Sequence, residues 1–184
     1  MMVRLVIFIL TFFSFFNLSL VFASGDPSPL GLTIGKATIA DLKAKYSVKS
    51  KGINAYSRGE MYEVDTTNID IEGLSSATAI FDERGILTAV IMEFPKTKFG
   101  EFYYYWDKIF KSLRSKYKLV KSQVPFVGNR YAEFVSGNSK IILDAPHLSF
   151  EMTLIYARKD FWQKVKEAER MEKRKKEGSL ERNL

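Results

Sequence analysis

The chain has 184 residues, 28 basic and 21 acidic, for a formal charge of +7; it carries 14% aromatic residues, one histidine and no cysteine. That composition excludes disulfides, thiolate metal sites, an acylated-cysteine lipoprotein anchor and any multi-histidine zinc site. The charge imbalance is modest, and it speaks to solubility and loose attraction to polyanions rather than to a site.

The N-terminus reads as an export signal. Arg4 is a positive n-region, Leu5 to Phe22 is almost wholly apolar, and Val21 and Ala23 are small enough for the −3 and −1 positions. This predicts a signal peptide, Met1 to Ala23, cleaved before Ser24, and a protein working in the periplasm or outside the cell. An uncleaved anchor competes, because an apolar run of roughly 18 residues just spans a bilayer. Against it, Ser14, Asn17 and Ser19 dilute the run, and a Gly-Asp-Pro-Ser-Pro stretch rather than a basic cluster follows. What remains, about 160 residues, suffices for one compact domain or two small lobes.

After a linker over 24–31, Thr38 is placed to cap a helix in which Asp41 sits three residues on and Ile39, Leu42 and Tyr46 share a face. Strand candidates follow at VKSKGIN and GEMYEVD, then a polar stretch, Thr66 to Ser76. Next come ATAIF and ILTAVIMEF across Asp82-Glu83-Arg84-Gly85, a β-hairpin signature. Phe102, Trp106, Ile109, Leu113 and Tyr117 fall at helical spacing, which predicts the strongest helix of the chain. Four more strands are expected at VKSQVPFV, RYAEFV, KIILDA and LSFEMTLIYA. From Asp160 on, a charged helix docks by Trp162 and Val165 and is expected to fray into disorder.

Each helix therefore precedes four strands, and local matches support a repeat: Asp41 to Tyr46 aligns with Ser112 to Tyr117, and Met61 to Val64 with Tyr131 to Phe134. Chance is the competing account, since Leu-Lys-x-Lys-Tyr is common in a lysine-rich chain. The expected fold class is α+β: two helix plus four-stranded antiparallel meander units in tandem, over 32–94 and 95–159, with a charged C-terminal helix over 160–184.

Gly35 to Leu42, with the strand-turn-strand Phe81 to Leu87, resembles the small envelope domains of the SmpA/OmlA type. The repeated helix-plus-four-strand plan is similar to the β-lactamase-inhibitor-protein architecture. The resemblance covers Leu30 to Ala157 and implies a noncatalytic assembly accessory or protein-binding module. The chain departs from the lipoprotein branch in lacking its cysteine, and no binding residue carries over by motif.

Among candidate sites, the run Tyr103-Tyr104-Tyr105-Trp106 is the most unusual. Successive helical positions point about 100° apart, so the four rings cannot all face one core, and exposed tyrosines favour binding surfaces. Packing on the sheet is the plainer account of such a stripe. His147, the lone histidine, is the only candidate for imidazole chemistry; a solvent-facing turn residue is the simpler reading. Asp65, Asn68, Asp70 and Glu72 supply calcium-type oxygens at a spacing unlike an EF-hand loop. No catalytic residue, metal site or cofactor is expected. The favoured partner is another protein of the cell envelope, with weak anionic-lipid contact through Lys173 to Lys176, and no nucleic acid. A small hydrolase using carboxylates or His147 is the runner-up, and a lipid- or polyanion-binding envelope protein using the basic tail is the third reading.

Overall fold

The computed structural model describes residues 25–98 and 101–182, so the expected signal peptide and its cleavage site lie outside the described residues. Helix α1 (Ile39–Lys45) starts at a complete capping box: the Thr38 hydroxyl accepts from the Asp41 N–H, and the Asp41 carboxylate accepts from the Thr38 N–H. Such a cap contributes about 1 kcal/mol, and a seven-residue helix needs it, because helices this short are marginal without tertiary packing. Leu42, fully buried, supplies that packing.

The strands are β1 (Val48–Ile53), β2 (Arg58–Val64), β3 (Ser76–Asp82), β4 (Leu87–Pro95), the two-residue β5 (Thr97–Lys98) and β6 (Glu101–Phe102), β7 (Lys118–Gln123), β8 (Arg130–Ser136), β9 (Ser139–Ala145) and β10 (Glu151–Arg158). Eight of them form one antiparallel sheet in the order β1-β2-β3-β4-β10-β9-β8-β7, while β5 and β6 pair separately. The centre is the β4–β10 pair, where Ile91 faces Ile155. Helix α2 (Tyr104–Lys116) lies between β6 and β7 in the chain, and α3 (Lys159–Arg182) follows β10 directly. The chain is thus α+β, with three α-helices about one large sheet among the described residues. Among the described residues no helix is long and apolar enough to cross a membrane.

Alternation along the strands separates two faces. Ala77, Ala79 and Phe81 of β3, with Met152, Leu154 and Tyr156 of β10, point into the main core, where Leu42 of α1 and Trp106 and Leu113 of α2 cover them. Ile80, Ala89 and Ala157 point the other way and pack under Phe161 of α3. The edge strands β1 and β7 carry lysines (Lys49 and Lys51; Lys118 and Lys121) and each a register shift, features that discourage further strand pairing.

Three segments outside the loops described below differ from their sequence-based expectation. Gly25 to Leu32 is docked: Pro27 and Pro29 are buried, Asp26 Oδ1 accepts from the Asn138 N–H and the Ser139 hydroxyl, and the Gly25 carbonyl accepts from Ser136. Thr66 to Ser76 folds against α2, with Ile69 and Leu74 in contact with the core. The C-terminal segment is helical through Arg182 instead of fraying, because Lys166–Glu169, Glu172–Lys176 and Lys173–Glu177 pair along its surface.

Candidate functional site

β8 and β9 end side by side, Arg130 opposite Ala145, so the loops 124–129 and 146–150 emerge together at one end of the sheet. These stretches, VPFV and the LSF after Pro146, were expected to be strand. Instead β7 stops at Gln123 and β10 starts at Glu151, because Pro125 and Pro146 lack the N–H a ladder needs. The apolar side chains left there are Phe126, Val127, Leu148 and Phe150, with Phe126 95%, Leu148 93% and Phe150 88% exposed. With Val124, these two loops hold five of the ten large apolar side chains that stand exposed among the described residues.

The loops are held from below. Lys96, the residue after β4, is only 2% exposed. Its N–H donates to the Phe150 carbonyl at 2.8 Å, and its ammonium donates to the carbonyls of Pro146 at 2.5 Å and His147 at 3.1 Å. Burial pulls the Lys96 ammonium below the ordinary lysine range. The Asn129 side chain accepts from the His147 N–H at 2.7 Å, joining one loop to the other.

Tyr103 completes the frame. It precedes α2 in the left-handed region (φ 66°), a conformation that costs a non-glycine residue on the order of 1–3 kcal/mol. The turn lets its N–H reach the Lys96 carbonyl and its hydroxyl donate to the Gly128 carbonyl at 3.0 Å. The Arg130 guanidinium lies 3.7 Å from the Tyr103 ring centroid and also bonds Asp107 at 3.2 Å. Between frame and tips is an open cleft of about 340 Å³ lined by Lys96, Tyr103, Phe126, Val127, Arg130 and His147.

The other candidates are distributed elsewhere. Of the aromatic run, Tyr103 and Tyr105 are buried and Trp106 fully so; Tyr104 alone is half-buried, its ring edge-on to Tyr105 and its hydroxyl 2.5 Å from the Lys108 ammonium. The run therefore makes no continuous exposed face. His147 is exposed, and no carboxylate lines the cleft beside it. Asp65 accepts from Thr67, while Glu72 is held by the ammoniums of Lys98 and Lys108. Those hydrogen bonds, Lys98 first, hold the Glu72 carboxyl down at about 2. Among the described residues no three potential ligands converge on a metal position. The basic run stays exposed on α3, with Lys173 and Lys176 paired to glutamates.

A larger cleft, of about 560 Å³, opens at the opposite end beside Arg58, Arg84, Arg158 and Lys164. Its arginines are engaged within the fold: Asp82 accepts from Arg84 and Arg158, Arg158 also binds Asp160, and Arg58 faces Glu83. Sequence reasoning missed Lys96, Arg130 and the four loop-tip residues. The available signal was apolar residues bracketed by turn formers, Pro125-Phe126-Val127-Gly128, which hydropathy alone assigns to a strand. Comparison with family models, with curated proteins and with solved structures finds no match for the chain.

Proposed function

We propose that this chain is an exported, noncatalytic binding module that docks on a component of the cell envelope through the tips of its 124–129 and 146–150 loops. One observation carries the reading: among the described residues, half of the exposed large apolar side chains are concentrated on two loops that hydrogen bonds hold in place. Exposed apolar residues scattered singly are ordinary, whereas a cluster backed by a fixed frame marks a surface that is covered in use. The leader-like composition of Met1 to Ala23 supports export, and a His147 cleft without a lining carboxylate supports binding over hydrolysis.

The same reading takes the chain as two tandem units, 32–94 and 95–159. Its supports are the order α1 then β1 to β4 and α2 then β7 to β10, and the pairing of the two last strands at the centre. This plan is the one that the SmpA/OmlA and β-lactamase-inhibitor-protein resemblance implies.

The test is capture from an envelope extract by the chain from Ser24 and by its Phe126→Ser, Leu148→Ser, Phe150→Ser variant. These side chains make few contacts, so the variant keeps its melting temperature. The reading expects an envelope component retained by the parent and lost by the variant; identical capture by both contradicts it.

A further inference from the structure

We infer that the component covered by these loops is the interface of an anionic lipid bilayer, an inference that rests on the docking surface proposed above and names its occupant. Three features favour lipid. First, Phe126, Leu148 and Phe150 are so nearly fully exposed that each stands out from the surface as a separate wedge. Separate wedges suit a fluid headgroup region, which closes around each one, better than a rigid partner, which has to supply a matching pocket for every one. Phenylalanine and leucine are also the side chains that such interfacial segments bury at the headgroup–acyl boundary.

Second, the charge fits. From Val124 to Arg130 and from Pro146 to Phe150 there is no carboxylate; the first one beyond is Glu151, at the start of β10. The charged groups in the cleft behind the tips are Lys96 and Arg130, both cationic. With the apolar tips in the headgroup layer, the cleft turns positive charge toward the lipid phosphates, Lys96 through its field alone because it is buried on the loop carbonyls. The net charge of the chain from Ser24, +6 without Arg4, adds a longer-range pull toward an anionic surface. Asp107 neutralises part of Arg130, so the tips rather than the charge carry most of the attachment.

Third, the loops are fixed before docking. The Lys96 ammonium on two carbonyls, the Asn129–His147 bond and the Tyr103–Gly128 bond set the spacing of the tips. Insertion then orders little further chain, which lets a small apolar area suffice. The site differs from the Lys173 to Lys176 run on α3, whose contact with lipid would be electrostatic alone.

The absence of cysteine makes the test clean. In the chain from Ser24, which holds the whole described fold, Leu148→Cys is labelled with an environment-sensitive NBD fluorophore, and Glu83→Cys at the opposite end serves as control. The probes are vesicles of phosphatidylcholine with 30 mol% phosphatidylglycerol, and of phosphatidylcholine alone. The expected result is a blue shift and an emission increase of about two-fold or more at position 148 on the anionic vesicles, with no change at position 83. Co-sedimentation is expected to fall at least about ten-fold in the triple-serine variant, and to persist when Lys173, Arg174, Lys175 and Lys176 are changed to Gln. An unshifted probe at 148, or binding that follows the α3 basic run instead of the tips, overturns the inference. Failure on vesicles with tip-dependent capture of a protein from envelope extract removes the lipid and leaves the binding module standing. Failure of both arms removes both.

Discussion

Lys96 places its ammonium 3.1 Å from the main-chain oxygen of His147, fifty-one positions along the chain. A buried lysine is unusual unless paired, and here no carboxylate is its partner: its bonds go to backbone carbonyls of the loop it supports. That ties β4 to the 146–150 loop and converts a Pro-containing connection into a fixed platform. Lys96→Met keeps the stem and removes the donor, taking that bond from the His147 carbonyl and leaving the Pro146 carbonyl with the Ser149 N–H. The expected loss is about 1–3 kcal/mol of stability, together with faster exchange of the Ser149 amide, which bonds the Pro146 carbonyl in the intact loop. Unchanged Ser149 exchange contradicts the supporting role.

Glu72 makes the docking of the 66–75 segment sensitive to acid. Its folded carboxyl titrates at about 2, below the ordinary glutamate value of 4.5, because it accepts from Lys98 and Lys108. A lowered folded value means that the contact stabilises fully above about pH 4.5 and is lost as the pH falls toward 2. A Glu72→Gln variant should therefore melt below the parent at pH 7 and converge with it at pH 2. Because the group is solvent-exposed, the gap is small, and its pH dependence is the diagnostic. A gap that does not change with pH sinks the assignment.

Gly59 tests the backbone of β2. A Cβ there falls 2.2 Å from the Phe81 carbonyl oxygen and 2.3 Å from that of Asp82, both main chain and unable to swing away. Gly59→Ala is expected to destabilise the fold by about 2–3 kcal/mol through overpacking, visible as a lowered denaturation midpoint with little change in its slope. Gly25→Ala, where nothing lies within 4 Å of the added carbon, should leave the midpoint unchanged.

Tyr104 and Tyr105 are neighbours with opposite expectations. Tyr105 is buried, against Gly73 of the 66–75 segment and with its ring centroid 6.5 Å from that of Phe94. Its replacement by Ala should cost about 3–5 kcal/mol. Tyr104→Ala, which removes a half-exposed ring, should cost about 1 kcal/mol or less. Equal losses would mean that the aromatic run is not divided between core and surface as the burial indicates.

The parts of the fold that were legible are those in which one local signal dominates. Thr38 and Asp41 mark the start of α1 because a cap is satisfied within four residues. The β3–β4 hairpin is legible because apolar runs flank Asp82 to Gly85, whose carboxylate and glycine close the turn. What was not legible depends on partners distant in sequence. Val124 to Val127 has strand hydropathy, and Pro125, together with the lack of a neighbouring strand at that point, makes it a loop. Lys96 reads as a surface lysine until residues fifty positions away cover it. Tyr103 in the left-handed region, and with it the later start of α2, follows from the same assembly.

Site-specific photo-crosslinking in intact envelopes tests the central claim most directly. A benzophenone amino acid is placed singly at Phe126, at Leu148 and, for comparison, at Tyr104 on α2. Docking through the loop tips predicts crosslinks to an envelope component from 126 and 148 and none from 104. Crosslinks from 104 with silence at both tips would contradict it, and would move the docking surface to the exposed edge of α2.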